Sequence, residues 1–253
     1  MDNETVVLSP TKRFSNRVEN YVKYRPSYPA AMIPFFETSL GLQQGQRIVD
    51  VGSGTGLFAK PLLEQGYAVT CIEPNDDMRR AGEQELGRYP GFTSRKHRAE
   101  QTGLRGQSVD LITVAQAFHW MDPATTKKEF NRILKPGGHI VLAWNLRLYT
   151  APFMQTYHEL KERYRLEETP MRHDNEETLT AFFAPKAMQV QRFENNQRLT
   201  FEELKGQLLS SSYIPLPGHP LYEEMIASLA ELFVNSQQGG LVTMEHETKL
   251  YWA

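Results

Sequence analysis

The chain has 253 residues, 40% hydrophobic and 23% charged, enough to bury a sizeable core and far from the composition of disordered chains. Its 28 Lys and Arg stand against 30 Asp and Glu, a formal net charge of −2, so no global positive field exists to recruit nucleic acid. The single cysteine, Cys71, excludes an internal disulfide and a cysteine-rich zinc site, and the seven histidines include no pair at short helical spacing, so no metal site is expected.

In chain order, Tyr21, Tyr24 and Arg25-Pro26 lie in an aromatic, basic N-terminal helix. From Arg47 to Asn145 short apolar runs alternate with helical patterns, as a parallel sheet with crossover helices requires. Arg47 to Val51 reads as a buried strand, Leu57 to Gln65 as a helix and Tyr67 to Ile72 as a second strand. A helix from about Asp76 to Leu86 and a polar alternating strand from Phe92 to Arg98 follow, and Val109 to Ala115 is the strongest strand pattern. Asp122 offers an N-cap with Pro123 at the first helical position. Lys135-Pro136-Gly137-Gly138 then stops the helix before a strand from His139 to Trp144.

Beyond Asn145, Pro152 to Leu166 reads as a helix, 167–177 as a charged loop and Met188 to Arg198 as a strand. Thr200 with Glu203 makes a capping box for a helix through Leu209. A Pro-rich turn, Ile214 to Pro220, leads to a helix ending near Phe233, and Leu241 to Trp252 alternates as a last strand. The segments 146–180 and 200–238 are too long for simple connections, so they are expected to cap the open end of the sheet. One domain over 1–253 is expected, with 1–145 as the N-terminal helix and ligand-binding half and 146–253 as cap helices and the last two strands.

The chemistry concentrates in Val49-Asp50-Val51-Gly52-Ser53-Gly54-Thr55-Gly56, an apolar strand running into a glycine-rich turn that opens a helix. Glycines let the backbone approach a ligand closely, and a helix N-terminus presents unsatisfied N–H groups with partial positive charge. Leu57 stands where the dinucleotide fingerprint G-x-G-x-x-G wants its third glycine, which argues against a nicotinamide-dependent oxidoreductase, a rival sharing the same strand-end logic. Glu73, at the end of the second strand, is an acceptor suited to the two hydroxyls of a ribose. Ala99-Glu100 supplies a second acid at the end of the third, able to accept from an exocyclic amine.

Together with Val109-Asp110-Leu111-Ile112-Thr113-Val114-Ala115 and Arg132-Ile133-Leu134-Lys135-Pro136-Gly137-Gly138, these residues resemble the class I S-adenosylmethionine-dependent methyltransferases, in particular the type 11 small-molecule group. Ala115-Gln116-Ala117-Phe118-His119-Trp120 and Arg25-Pro26 are similar to segments of trans-aconitate methyltransferase relatives. The resemblance covers about the first 145 residues. It implies a Rossmann-like, mostly parallel seven-stranded α/β sheet with an antiparallel last strand, helical cap insertions, and S-adenosyl-L-methionine as cofactor with S-adenosyl-L-homocysteine as product. It further implies that Asp50, Gly52, Ser53, Gly54 and Gly56 hold the methionyl part, Glu73 and Pro74 flank the ribose, Met78 packs on the adenine face, and Ala99-Glu100 meet the adenine amine. Gln116 would line the methionyl side.

Phe118, His119 and Trp120 are expected to face a small-molecule substrate, with Tyr24 and Trp144 as further substrate contacts. His119 is either a general base or a hydrogen-bonded packing histidine, since its ordinary pKa near 6.5 leaves much of it neutral at pH 7. Arg25 either pairs with the cofactor carboxylate or packs against the sheet. The cap carries Arg147, Tyr149, Tyr157, Arg163 and Tyr213, which suits either a carboxylate or a mixed aromatic acceptor. A cofactor-binding regulator without turnover is the alternative from another class. Met1 to Pro10 lacks the basic start and apolar stretch of a signal peptide, and no run approaches the ~18 apolar residues of a membrane helix. The expectation is a cytoplasmic monomer or homodimer with no membrane or nucleic-acid partner.

Overall fold

In the computed structural model, which describes residues 23–166 and 175–253, β1 (Arg47–Val51) carries four consecutive buried residues, the pattern of a strand covered on both faces. Tyr21 and most of the expected charged loop lie outside the described residues. α1 (Met32–Ser39) leads into β1, and α2 (Ala59–Glu64), β2 (Ala68–Ile72), α3 (Asp76–Leu86), β3 (Phe92–Arg95), β4 (Val109–Ala115), α4 (Pro123–Ile133) and β5 (Leu134–Arg147) follow. The remaining elements are α5 (Pro152–Arg163), α6 (Glu176–Phe183), β6 (Gln189–Glu194), β7 (Gln197–Leu199), α7 (Phe201–Leu209), α8 (Tyr222–Ser236), β8 (Val242–Met244) and β9 (His246–Trp252).

Seven strands form one sheet in the order β3-β2-β1-β4-β5-β9-β6, and β1 to β5 run parallel. β9 is antiparallel to both its neighbours, so the expected Rossmann-like sheet with an antiparallel last strand is observed. One face is covered by Met32, Phe36, Phe58 and Leu62, the other by Phe118, Phe130, Ile133 and Phe182. The strand order reverses between β2-β1 and β4-β5, which opens a crevice at the carboxyl ends of β1 and β4, where ligands of open α/β sheets bind.

Local chemistry sets the helix starts. Asn75 Oδ1 accepts the Asp77 and Met78 N–H groups at 2.9 and 3.0 Å to cap α3. Asp122 Oδ1 accepts from Thr125 N at 2.8 Å to cap α4, with Pro123 next, as expected. The Thr200–Glu203 capping box is also present.

Several expectations are corrected. Lys135-Pro136-Gly137-Gly138 does not precede the strand but bulges within it. Val109 pairs with Leu134 and Leu111 with His139, so five residues of β5 span two of β4. Glu176 and Glu177, expected in a charged loop, form the first turn of α6, which Asn175 caps through Thr178 N at 2.8 Å. The single strand expected over Met188 to Arg198 is two, because Asn195-Asn196 turn the chain. Asn195 N donates to His246 O, and Asn196 Oδ1 accepts from His246 N. The last strand likewise breaks at Glu245, whose N–H meets Met154 Sδ.

The detached pieces, β7 and β8, pair as a two-stranded sheet within the cap. That cap has its own apolar cluster, built on Met154, Leu160, Leu204, Leu208, Met225 and Leu229 from α5, α7 and α8. Among the described residues no helix is long and apolar enough to cross a membrane, and no cluster of potential metal ligands occurs.

Candidate active site

The glycine turn is held from below by backbone. Gly52 and Ser53 donate N–H bonds to the Ile72 carbonyl at 2.8 and 3.1 Å, which ties the loop after β1 to the end of β2. Gly52 has φ +67°, and a Cβ there would lie 2.6 Å from Ala117 Cβ, so only glycine fits between β1 and the loop after β4. α3 presses against the same loop. Gly82 lets the Thr55 backbone approach, and the Met78 methyl lies beside Gly54, where a face of a bound ring would rest.

Glu73 is buried at the tip of β2 with both oxygens engaged. Oε2 accepts from Gly54 N at 2.9 Å and Oε1 from Asn75 N at 2.7 Å. Burial pushes its pKa up while these two N–H donors oppose the rise. Each oxygen keeps a second acceptor direction, so two hydroxyl donors can still be received. Pro74 forms the half-buried bend that separates Glu73 from the cap residue Asn75.

Asp50 lies beneath the loop, wholly buried. Its Oδ1 accepts from Thr113 Oγ1 at 2.7 Å, while Oδ2 has no partner among the described residues. Burial drives its carboxyl up to about 7, the Thr113 bond working against this and the Glu73 charge adding to it. An orphan carboxylate oxygen under a glycine loop is a place for a ligand ammonium, whose charge would draw the proton off.

The other side of the crevice comes from β4 and β5. Gln116, just past β4, has φ +54°, a sparsely populated conformation for a residue with a side chain, held by its N–H to Ala143 O and by Nε2 to Asn145 O at 3.0 Å. Glu100 Oε1 accepts from Asp122 N at 3.2 Å, so this acid braces the start of α4; Ala99 is buried in the same apolar cluster as Ala117 and Met121. His119 and Trp120 sit on a short 3₁₀ turn with rings 4.7 Å apart, and Trp120 is 40% exposed.

Three expected substrate contacts are placed elsewhere. Phe118 is wholly buried and packs edge-on to Phe182 at 4.6 Å, because the three residues per turn of the 3₁₀ segment aim Phe118 into the core and Trp120 away from it. Trp144 packs edge-on to Tyr251 at 5.6 Å within the same core. Tyr24 lies flat on α7, close enough that a Cβ on Gly206 would touch its ring at 2.1 Å. Arg25 Nη2 donates to Ser210 O at 3.2 Å, just past the end of α7. The sequence reading passed over Asn75 and Thr113, the partners that hold the loop and Asp50. The first was legible as an N-cap before Asp76-Asp77, while the second became visible only through register, opposite Asp50 in the pairing of β1 and β4.

Residues 49–142 match the family described as "Methyltransferase domain". An uncharacterized methyltransferase of Mycobacterium tuberculosis (strain ATCC 25618 / H37Rv) is 36% identical over 134 residues, 53% of this chain and 52% of that protein. An uncharacterized methyltransferase-like protein of Schizosaccharomyces pombe is 30% identical over 158 residues, 61% of this chain and 59% of that one. The chain thus spans about half the length of the curated relatives it matches. Among solved structures, a chain from Anaeromyxobacter dehalogenans, provisionally designated a type II methyltransferase, superposes with a TM-score of 0.63 at 22% identity, covering 91% of this chain and 96% of that one. Phosphoethanolamine N-methyltransferase 2 of Haemonchus contortus, in complex with S-adenosyl-L-methionine, gives 0.56 at 15% identity over 97% of this chain and 58% of that one. Residues 49–142 are therefore similar to a methyltransferase domain, and the sheet that carries them shares its fold with these solved structures.

Proposed function

We propose that this chain transfers a methyl group from S-adenosyl-L-methionine to a small-molecule acceptor. The observation that carries the reading is the Asp50–glycine turn–Glu73 assembly: a loop only glycine can form, an orphan acid beneath it and an acid at the next strand end with acceptor capacity to spare. When bound, S-adenosyl-L-methionine supplies a methyl group whose bond to the sulfonium breaks, the electron pair returning to sulfur, as the acceptor atom bonds to carbon.

The chain's residues position and enclose. The glycine turn and Asp50 would receive the methionyl part, Asp50 Oδ2 accepting from its ammonium. Glu73 would accept from the ribose hydroxyls, Met78 would pack on the adenine face, and Glu100 would border the adenine edge. Gln116, fixed by Asn145, would set the wall between cofactor and acceptor, with Trp120 excluding water from the acceptor side. A carboxylate acceptor needs no base. A hydroxyl or protonated amine would pass its proton to His119, the histidine on the turn that follows β4.

The test is incubation of the full chain with S-adenosyl-L-methionine and a panel of small carboxylic acids, phenols and amines, with S-adenosyl-L-homocysteine as readout. Acceptor-dependent product is expected, and His119→Ala separates the classes by sparing carboxylate turnover while lowering that of hydroxyl or amine acceptors about 100-fold. Saturable cofactor binding with no product from any acceptor would instead favour a regulator that binds without turnover.

A further inference from the structure

Beneath α5 the chain buries cations without acids. Lys161 is 3% exposed, with Nζ 5.1 Å from the ring centroid of Tyr213 and 5.9 Å from that of Tyr157 one turn earlier. Arg165 stacks on the same Tyr213 ring, its Cζ 4.2 Å from the centroid. Arg147, near the end of β5, faces His246 across the antiparallel pairing. Tyr157 is wholly buried and its Oη has no hydrogen-bond partner among the described residues; Arg147 Nε is buried in the same condition. Among the described residues no carboxylate lies within ion-pair distance of Lys161 or Arg147. Glu162, on the same helix as Lys161, is taken by Arg165 at 2.6 Å, and Glu245 by Thr150 at 2.7 Å.

The charges feel one another. Burial, then Arg147, Arg25 and Arg165, push the Lys161 ammonium well below its ordinary pKa, and burial with Arg147, Arg25 and Lys161 holds His246 down to about 3. Buried like charges and orphan donors each destabilise the fold unless a ligand completes them. The place is also informative. Arg147 lies two residues past Asn145, whose carbonyl holds Gln116, so at ~3.3 Å per residue the cluster begins about 7 Å beyond the crevice wall.

We propose that Arg147, Lys161 and Tyr157 form an oxyanion-binding subsite that anchors the acceptor by a carboxylate or phosphate group other than the atom that is methylated. Calling the ligand an acceptor rests on the methyl-transfer reading above; the anion site itself does not. An oxyanion held by guanidinium, ammonium and phenol donors has its lone pairs engaged and its charge offset, which makes it a poor nucleophile. The atom that receives the methyl group is therefore a second group on the same molecule, on the side of Gln116. The acceptor thus has at least two functional groups, and the product keeps its anion.

Calorimetric titration of the full chain near neutral pH with inorganic phosphate and, separately, citrate, against sodium chloride of equal ionic strength, tests this. Saturable binding of either oxyanion is expected, and the ion that binds more tightly assigns the anchor as phosphate or carboxylate. Lys161→Met should weaken it roughly 30-fold or more while leaving S-adenosyl-L-homocysteine binding unchanged. The same substitution should raise the melting temperature without ligand, since it removes an unpaired buried cation. Should Arg147→Met or Lys161→Met fail to fold, Tyr157→Phe, which deletes one donor and no volume, should still weaken the oxyanion alone. No saturable oxyanion binding beyond chloride, or affinity unchanged in all three variants, overturns the subsite. Oxyanion binding with no S-adenosyl-L-homocysteine binding would instead overturn methyl transfer and leave the subsite standing.

Discussion

Around the glycine turn the ionisable side chains include the acids Asp50, Glu73 and Glu100, and the donors are mainly backbone N–H groups; beneath α5 they include Arg147 and Lys161, and among the described residues no acid pairs with either. The first region is nearly self-satisfied. Glu73 takes two backbone bonds, Asp50 takes Thr113, and one oxygen remains. The second is left open, with a phenol and a guanidinium nitrogen buried and unbonded. A backbone-built acidic cradle suits a ligand bearing an ammonium and hydroxyls, whereas a cluster of cationic side chains without acid partners among the described residues suits an anion that arrives separately. The cradle lies within the residues that match a methyltransferase domain, and the cap helix bearing Lys161 lies outside them. On the proposed reading, the matched part of the chain would hold the group donor site and the cap outside it would shape the acceptor site.

Three changes would break or sharpen this contrast on the cradle side. The largest effect is expected for Gly52→Ala, which forces a side chain into positive φ and against Ala117 Cβ, costing about 4 kcal/mol in denaturant unfolding. A cradle that tolerated the methyl group would not be the glycine-only element described.

Next is Asp50→Asn. Its carboxyl is at about 7 when folded against the ordinary aspartate value of 3.8, so the wild-type contribution is fully present below pH 4 and is lost as pH rises through 7. His246 acts the opposite way: at about 3 when folded, it stabilises above its ordinary pKa of 6.5, and that contribution is lost as pH falls toward 3. Comparing the variant with wild type isolates Asp50. The stability difference should move in favour of Asp50→Asn by about 3 kcal/mol between pH 5 and pH 8, and a flat difference would mean Asp50 stays ionised.

The smallest effect is expected for Asn75→Ala. It removes the two cap bonds of α3 and should cost about 1 kcal/mol in the same unfolding assay. It should also weaken an adenosyl ligand only a few-fold, because Glu73 keeps its bond from Gly54.

The parallel half was legible because its signals are local. Val109–Ala115 and Asp76–Leu86 fall within the expected bounds, since a buried parallel strand is a contiguous apolar run and a capped helix announces its start. The cap was less so. Alternation from Leu241 to Trp252 continues through Glu245, so no residue signals that the chain changes sheets there; Met154 and Asn196, remote in sequence, decide it. The glycine turn and Glu73 were readable from spacing, but the bond that joins them was not. Lys161 was invisible for a related reason. A lysine on a helix with polar neighbours reads as solvated, and its burial follows only from how α5 settles against β5 and Tyr213. Phe118 and Tyr24 erred the other way, because aromatic residues near a strand end serve a site or a core equally well in sequence.

The central claim is that the Asp50–glycine–Glu73 cradle binds an adenosyl donor. Calorimetric titration of the full chain with S-adenosyl-L-homocysteine and with NADH, repeated on Glu73→Ala, tests it most directly. Saturable binding of S-adenosyl-L-homocysteine alone, weakened about tenfold or more by the substitution, is the predicted result. No adenosyl binding, a preference for NADH, or affinity indifferent to Glu73 would contradict it.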